Sequence, residues 1–176
     1  AIAPLFYQLS REYNQNGYIL TYDGCPPILG VEQTNRGADF YCEAFNKKVM
    51  GLIHHEQIEH IFLVSAWSNW LNNKNVRVMD NRAHESVNDA LQSTIDTLRG
   101  KNIYMLETVP TFKFEPHRFL ALNAKSKNVF PEEYSFPYMR QETIVSSEKL
   151  AGNITYINPE EILCKAAKKC YIAKDN

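Results

Sequence analysis

The stretch that most constrains this chain is His60 to Trp70, HIFLVSAWSNW. Ile61-Phe62-Leu63-Val64 is an unbroken apolar run with β-branched and aromatic members, bounded by polar residues and following a helix-like segment. A run of that length and composition reads as a strand buried on both faces, the form a strand takes when helices cover each side of a sheet. In open α/β sheets such strands deliver their C-terminal ends to a crevice where ligands bind. Ser65, Ala66, Trp67, Ser68, Asn69 and Trp70 would line that crevice.

The rest of the chain alternates in the same sense. Ala1 to Asn14 carries Leu5, Phe6, Leu9 and Tyr13 at helical spacing, with Asn16-Gly17 as the stop. Tyr18 to Tyr22 reads as a strand ended by Asp23-Gly24. Cys25 to Tyr41 reads as a loop marked by Pro26, Pro27, Gly30 and Gly37. Glu43 to Gln57 is a helix with Phe45, Val49, Leu52 and Ile53 on one face. Val76 and Val78 alternate within a polar stretch, consistent with a brief edge strand or hairpin. Ala83 to Arg99 is the clearest helix: Val87, Ala90, Leu91, Thr94, Ile95 and Leu98 form its stripe, and Gly100 ends it. Ile103 to Leu106 and Ile154 to Ile157 are further strands. Thr111 to Pro137 is long, aromatic and irregular, with one short helix near Pro116 to Leu122. A loop of that length in a compact domain usually carries function. Tyr138 to Leu150 and Pro159 to Ala167 read as helices. Strands alternating with helices predict a parallel sheet with helices on both faces. The 176 residues, without an internal repeat or a linker, suit one domain spanning residues 1–176.

Charge and composition exclude several classes. The formal net charge is −1, and Lys165, Lys168 and Lys169 are the nearest approach to a basic block. A nucleic-acid partner is therefore unsupported. No apolar run approaches the roughly 20 residues that cross a bilayer. There is no phosphate loop, no dinucleotide glycine fingerprint and no G-x-S-x-G elbow, and no cofactor is expected. His55 and His60 lie five residues apart, about 140° around a helix, so they do not form a zinc-binding pair and no metal is expected.

Ser65 and Ser68 at the mouth of the strand are candidate nucleophiles. His84 and His117, with Asp80 or Glu115, are candidate partners for the base such a serine needs. A hydroxyl capping a strand end is the plainer reading. Trp67 and Trp70 suit either a core or an aromatic floor for a sugar or acyl group, and Tyr134, Phe136 and Tyr138 suit either a plug at one end of the sheet or the wall of a glycan site. Cys25, Cys42, Cys164 and Cys170 fall as two sequence-local pairs. They are either two local disulfides, which require an oxidising compartment, or four buried thiols.

Leu20-x-Tyr-Asp-Gly-Cys-Pro-Pro27, Cys42-Glu-x-x-Asn46, Ile61 to Trp67, Glu107-Thr-Val-Pro110 and the closing Cys164…Cys170 pair together resemble the SGNH-type domain at the C-terminal end of bacterial membrane acyltransferases, the O-acetylases of lipopolysaccharide and peptidoglycan. The resemblance implies a three-layer α/β/α, flavodoxin-like fold with a mostly parallel sheet. It implies a periplasmic location, tethered through a membrane acyltransferase domain of the same polypeptide, with a cell-envelope glycan as the acceptor of an acyl, commonly acetyl, group. It also implies disulfides Cys25–Cys42 and Cys164–Cys170. The family's Gly-Asp-Ser-His and Asp-x-x-His stretches do not occur in these residues, so the reacting Ser-His-Asp set cannot be carried over, and the chain is expected to be an inactive piece of a larger protein. What maps is the wall of the site: Gly24 as a backbone donor, and Ser65, Trp67 and Asn69 after the central strand, although the family's Gly-x-Asn-Asp form is absent. In that arrangement the sheet has a gap between Tyr18–Tyr22 and Ile61–Val64, so these two strands either pair directly or take a strand from a partner. The alternative is a glycan-binding module without chemistry, built on Trp67 and Trp70.

Overall fold

The structure, a computed structural model, describes residues 3–34, 41–67, 70, 76–79, 86–108, 133–137, 153–165 and 169–174. Its elements are α1 (Ala3–Glu12), β1 (Val31–Gln33), α2 (Cys42–His55), β2 (His60–Val64), β3 (Val76–Val78), α3 (Val87–Thr97), β4 (Asn102–Leu106), β5 (Glu133–Pro137), β6 (Ile154–Ile157), α4 (Pro159–Leu163), β7 (Cys164–Lys165) and β8 (Lys169–Lys174).

The central sheet is parallel, in the order β2-β4-β6. Its register sets Ile61 beside Ile103 and Ile103 beside Ile154, then Leu63 beside Met105 and Met105 beside Tyr156. Alternate residues of a strand point to opposite faces, so these side chains share one face. There they pack against Ile53 of α2 and against Ala90, Leu91, Ile95 and Leu98 of α3 and its end, forming the core. The apolar run and the helical stripe are thus two halves of one buried surface.

Local chemistry fixes the helix ends. The Ser86 side chain accepts a hydrogen bond from the Asp89 N–H at 3.2 Å and donates to the Asp89 carboxylate at 2.7 Å, a reciprocal cap that starts α3. After α3 the chain turns at Gly100, whose φ of +89° is ordinary for glycine and strained for other residues. At the start of α2, Tyr41 supplies no side-chain cap. Instead the Glu32 carboxylate accepts from the N–H groups of Cys42 at 2.9 Å and Glu43 at 2.8 Å. A negative charge there also complements the helix dipole.

Several expectations need correcting. β2 is buried on one face only: Phe62 points away from the core and is 47% exposed, covered in part by Phe6 of α1 and stacked on Tyr104. Tyr18 to Tyr22 forms no strand, and it does not pair with β2. Strand-forming side chains do not make a strand without a partner edge. The loop from Cys25 to Tyr41 contains a strand, because Val31–Gln33 pairs antiparallel with Val76–Val78. The helix expected to Ala167 stops at Leu163, and the chain turns into a second antiparallel sheet in the order β5-β8-β7, which includes the end of the long aromatic stretch. The helices expected near Pro116 to Leu122 and over Tyr138 to Leu150 lie outside the described residues. No helix among the described residues is long and apolar enough to cross a membrane.

Candidate functional site

The C-terminal ends of the parallel strands carry Ser65 after β2 and Glu107 after β4. Val64 and Leu106 are register partners, so these two residues leave adjacent strands side by side. Both are partly buried. The Glu107 N–H extends the ladder by donating to the Ile157 carbonyl at 2.9 Å. One step inside, the Tyr156 hydroxyl is buried with no hydrogen-bond partner among the described residues. Burial first, and the Glu107 carboxylate second, push its pKa above the usual tyrosine value. Both effects disfavour the phenolate, so the group stays a protonated phenol through the neutral range.

Trp67 closes this end of the sheet from within. Its indole N–H donates to the Leu106 carbonyl at 2.7 Å, and the residue is 2% exposed. The ring ties the turn after β2 to the end of β4 and belongs to the core; it is not presented to solvent as a floor for a sugar. Trp70 is also buried, and its backbone N–H donates to the Trp67 carbonyl at 2.9 Å. The area and single side-chain donor of Trp67 are thus both used internally.

Gly24 sits in a turn at φ +74°, a conformation that favours glycine. The segment after it is anchored at several points. Cys25 and Cys42 form a disulfide joining the segment to the first residue of α2. Asn46, 5% exposed, donates through its side-chain amide to the carbonyls of Pro26 at 2.9 Å and Ile28 at 2.8 Å. The Leu29 N–H donates to the Thr94 hydroxyl at 2.9 Å, and that hydroxyl donates to the Ala90 carbonyl at 2.8 Å. The Glu43 carboxylate accepts from the Gly30 N–H and pairs with Lys47 at 2.8 Å. Ile28 and Val31 then enter the same core as Leu63 and Trp67. The Gly24 segment and the Ser65 end of β2 are mounted on one base.

Sequence reasoning left Asn46 as a motif letter and Thr94 as one of a stripe. Asn46 lies on the same face of α2 as Cys42, Val49 and Ile53, and an amide on a buried helix face needs partners. That placement was the available signal. Leucine at position 46 would remove a donor from the Ile28 and Pro26 carbonyls, the second of which also accepts from the Ile28 N–H at 2.8 Å. Asn46→Leu is expected to cost about 2 kcal/mol of stability, read as a lower urea midpoint at unchanged slope.

Of the remaining sequence candidates, Ser68, Asn69, Asp80, His84, Glu115, His117 and Tyr138 lie outside the described residues. Tyr134 and Phe136 fall in β5, whose backbone pairs with β8. His55 is exposed at the end of α2 and His60 is exposed at the start of β2. Cys164 is disulfide-bonded, and the backbone of Cys170 lies opposite it in the β7–β8 ladder. Among the described residues no group of three or more His, Cys, Asp and Glu is arranged to hold a metal ion.

Comparison with known proteins adds two findings. The family described as the SGNH domain fused to AT3 domains matches residues 1–176. The fold is similar to that of the periplasmic domain of a lipopolysaccharide acetyltransferase from Salmonella ser. Paratyphi A, with a TM-score of 0.59 and 17% sequence identity over 97% of this chain. The chain spans 65% of the length of that solved domain. No curated protein sequence matches it.

Proposed function

The chain belongs to the family of SGNH domains fused to AT3 domains, and from that premise we propose that it is the extracytoplasmic wall of an acyl-transfer site in a bacterial membrane O-acyltransferase. The AT3 domain of the same polypeptide would be its membrane partner. The acceptor would be a hydroxyl of a cell-envelope glycan and the transferred group acetyl. The domain would lie in the periplasm, as a single three-layer α/β/α unit over residues 1–176.

The observation that carries this reading is the common anchorage of Gly24 and Ser65. A site that stabilises a tetrahedral oxyanion needs donors held still before charge develops. The disulfide Cys25–Cys42, the Asn46 amide and the Thr94 hydroxyl hold the Gly24 segment against the core that carries β2. Gly24 would offer its backbone N–H, and Ser65 and Asn69 would form the facing wall. Trp67 would act from beneath, fixing the strand ends. A disulfide at this point also suits an oxidising compartment.

The role is tested by deleting residues 1–176 in frame from the intact gene and measuring acetate released from the cell envelope by mild base. Acetate is expected to fall to the level of a strain lacking the whole gene, with the membrane part still inserted. Envelope acetate unchanged by the deletion would sink the proposal.

A further inference from the structure

The chain has one Asn-Gly pair, Asn16-Gly17, and the sequence suggests it as the stop of the first helix. The structure gives that task to Asn14. Asn14 takes the left-handed conformation at φ +50° and donates its N–H to the Arg11 carbonyl at 3.4 Å, while the Gln15 N–H donates to the Ser10 carbonyl at 2.8 Å. Those two bonds together close a helix end. α1 is therefore finished before Asn16, and the glycine is not needed to end it.

Asn16 and Gly17 are exposed and lie in neither helix nor strand. Among the described residues neither makes a hydrogen bond. A methyl group placed on the Gly17 Cα would meet nothing within 4 Å beyond its chain neighbours, and Gly17 is not in the left-handed region. These are the conditions for a reaction within the chain. The Gly17 nitrogen is bonded to the Asn16 carbonyl carbon, so its attack on the Asn16 Cγ closes a five-membered ring. Two things ordinarily oppose that step: a side chain on the following residue, which crowds the nitrogen, and a hydrogen bond that fixes the backbone. Both are missing here. Nucleophile and electrophile are already joined, so no encounter entropy is lost.

We propose that Asn16 is a site of spontaneous deamidation, with water as the co-reactant. The Gly17 nitrogen gives up its proton and bonds to Asn16 Cγ, the Cγ–Nδ2 bond breaks, and the side-chain nitrogen leaves as ammonia. Water then opens the cyclic imide. Opening at Cγ restores the main chain and gives aspartate. Opening at the backbone carbonyl leaves Gly17 attached through Cγ and gives isoaspartate, with one more methylene in the main chain. No oxidant or reductant enters. Either product adds a negative charge to a chain whose formal net charge is −1, just beyond the end of α1, where the helix dipole disfavours it. Asp23-Gly24 has the same reacting atoms but is held. The Cys25 N–H donates across it to the Tyr22 carbonyl at 3.0 Å, Gly24 sits at φ +74°, and Cys25 is bonded to Cys42. Asp23 stays unchanged while Asn16 reacts. This inference rests on the turn after α1 and is independent of the proposed function.

The test is peptide mapping by mass spectrometry of the full-length protein in detergent, held in mildly alkaline buffer beside a synthetic peptide of residues 13–22. Fragmentation separates Asn16 from Asn14 and isoaspartate from aspartate. Asn16 in the protein is expected to convert within about threefold of the peptide rate, as an unrestrained backbone allows. Gly17→Ala, for which the structure has room, is expected to slow the conversion about tenfold by crowding the nitrogen. A rate in the protein more than about tenfold below that of the peptide would overturn the proposal, because the fold would then be holding the turn. So would a mass gain placed on Asn14, or a Gly17→Ala variant that converts as fast as the parent.

Discussion

Trp67→Ala should lower the stability of the domain by about 3–5 kcal/mol, the cost of emptying a large aromatic site in a packed core. The residue is 2% exposed, and its N–H is satisfied by the Leu106 carbonyl at 2.7 Å. Removing it deletes the contact between the ends of β2 and β4 and orphans that carbonyl. Trp67→Phe keeps most of the apolar volume and loses the donor, so it should cost less, about 1–2 kcal/mol more than volume alone explains. Urea unfolding followed by circular dichroism measures both. An exposed aromatic floor behaves differently: its truncation changes stability by less than about 0.5 kcal/mol and appears only in ligand binding.

The second large effect is expected from the disulfide. Cys25 and Cys42 are 17 residues apart and close the loop that carries the Gly24 segment onto α2. In the chain-entropy picture a loop of that length stabilises the folded state by about 3 kcal/mol. The Cys25→Ala/Cys42→Ala double variant should therefore melt about 6–12 °C lower than the parent. The alanines leave no buried thiol or hydroxyl to confuse the result. Asn46, Thr94 and Glu43 still hold the segment in the variant, so local fraying between Gly24 and Ile28 should exceed the change elsewhere, visible as faster amide exchange there. A melting temperature unchanged within a degree would mean the other anchors already fix the loop.

The three parallel strands were legible because each is a short apolar run between turn residues. Ile61–Val64, Ile103–Leu106 and Ile154–Ile157 appear within a residue of where their composition puts them. The stripe of α3 and its end at Gly100 were legible for the same reason: period and punctuation are local. What was not legible depends on partners distant in sequence. Val31–Gln33 becomes a strand only because Val76–Val78 lies beside it, and nothing in VEQ announces that. β8 depends likewise on β5 and β7. Tyr18–Tyr22 fails in the opposite direction, with strand-forming residues and no strand paired with it among the described residues. At the site, the cysteines and Gly24 stood out in sequence, while the polar anchors Asn46, Thr94 and Glu32 did not. Each of those side chains works by reaching backbone far away in sequence, and pattern reading sees only spacing along one element. Trp67 was ambiguous because burial, which decides between core and floor, is set by where Leu106 ends.

The central proposal is that these residues build the wall of an acyl-transfer site without supplying its reacting Ser-His-Asp set. The direct measurement is acetyl-ester turnover by residues 1–176 alone, with an activated ester such as p-nitrophenyl acetate at neutral pH. The account predicts a rate equal to that of the reduced and denatured chain. Robust turnover by the folded chain, abolished by Ser65→Ala, would contradict it.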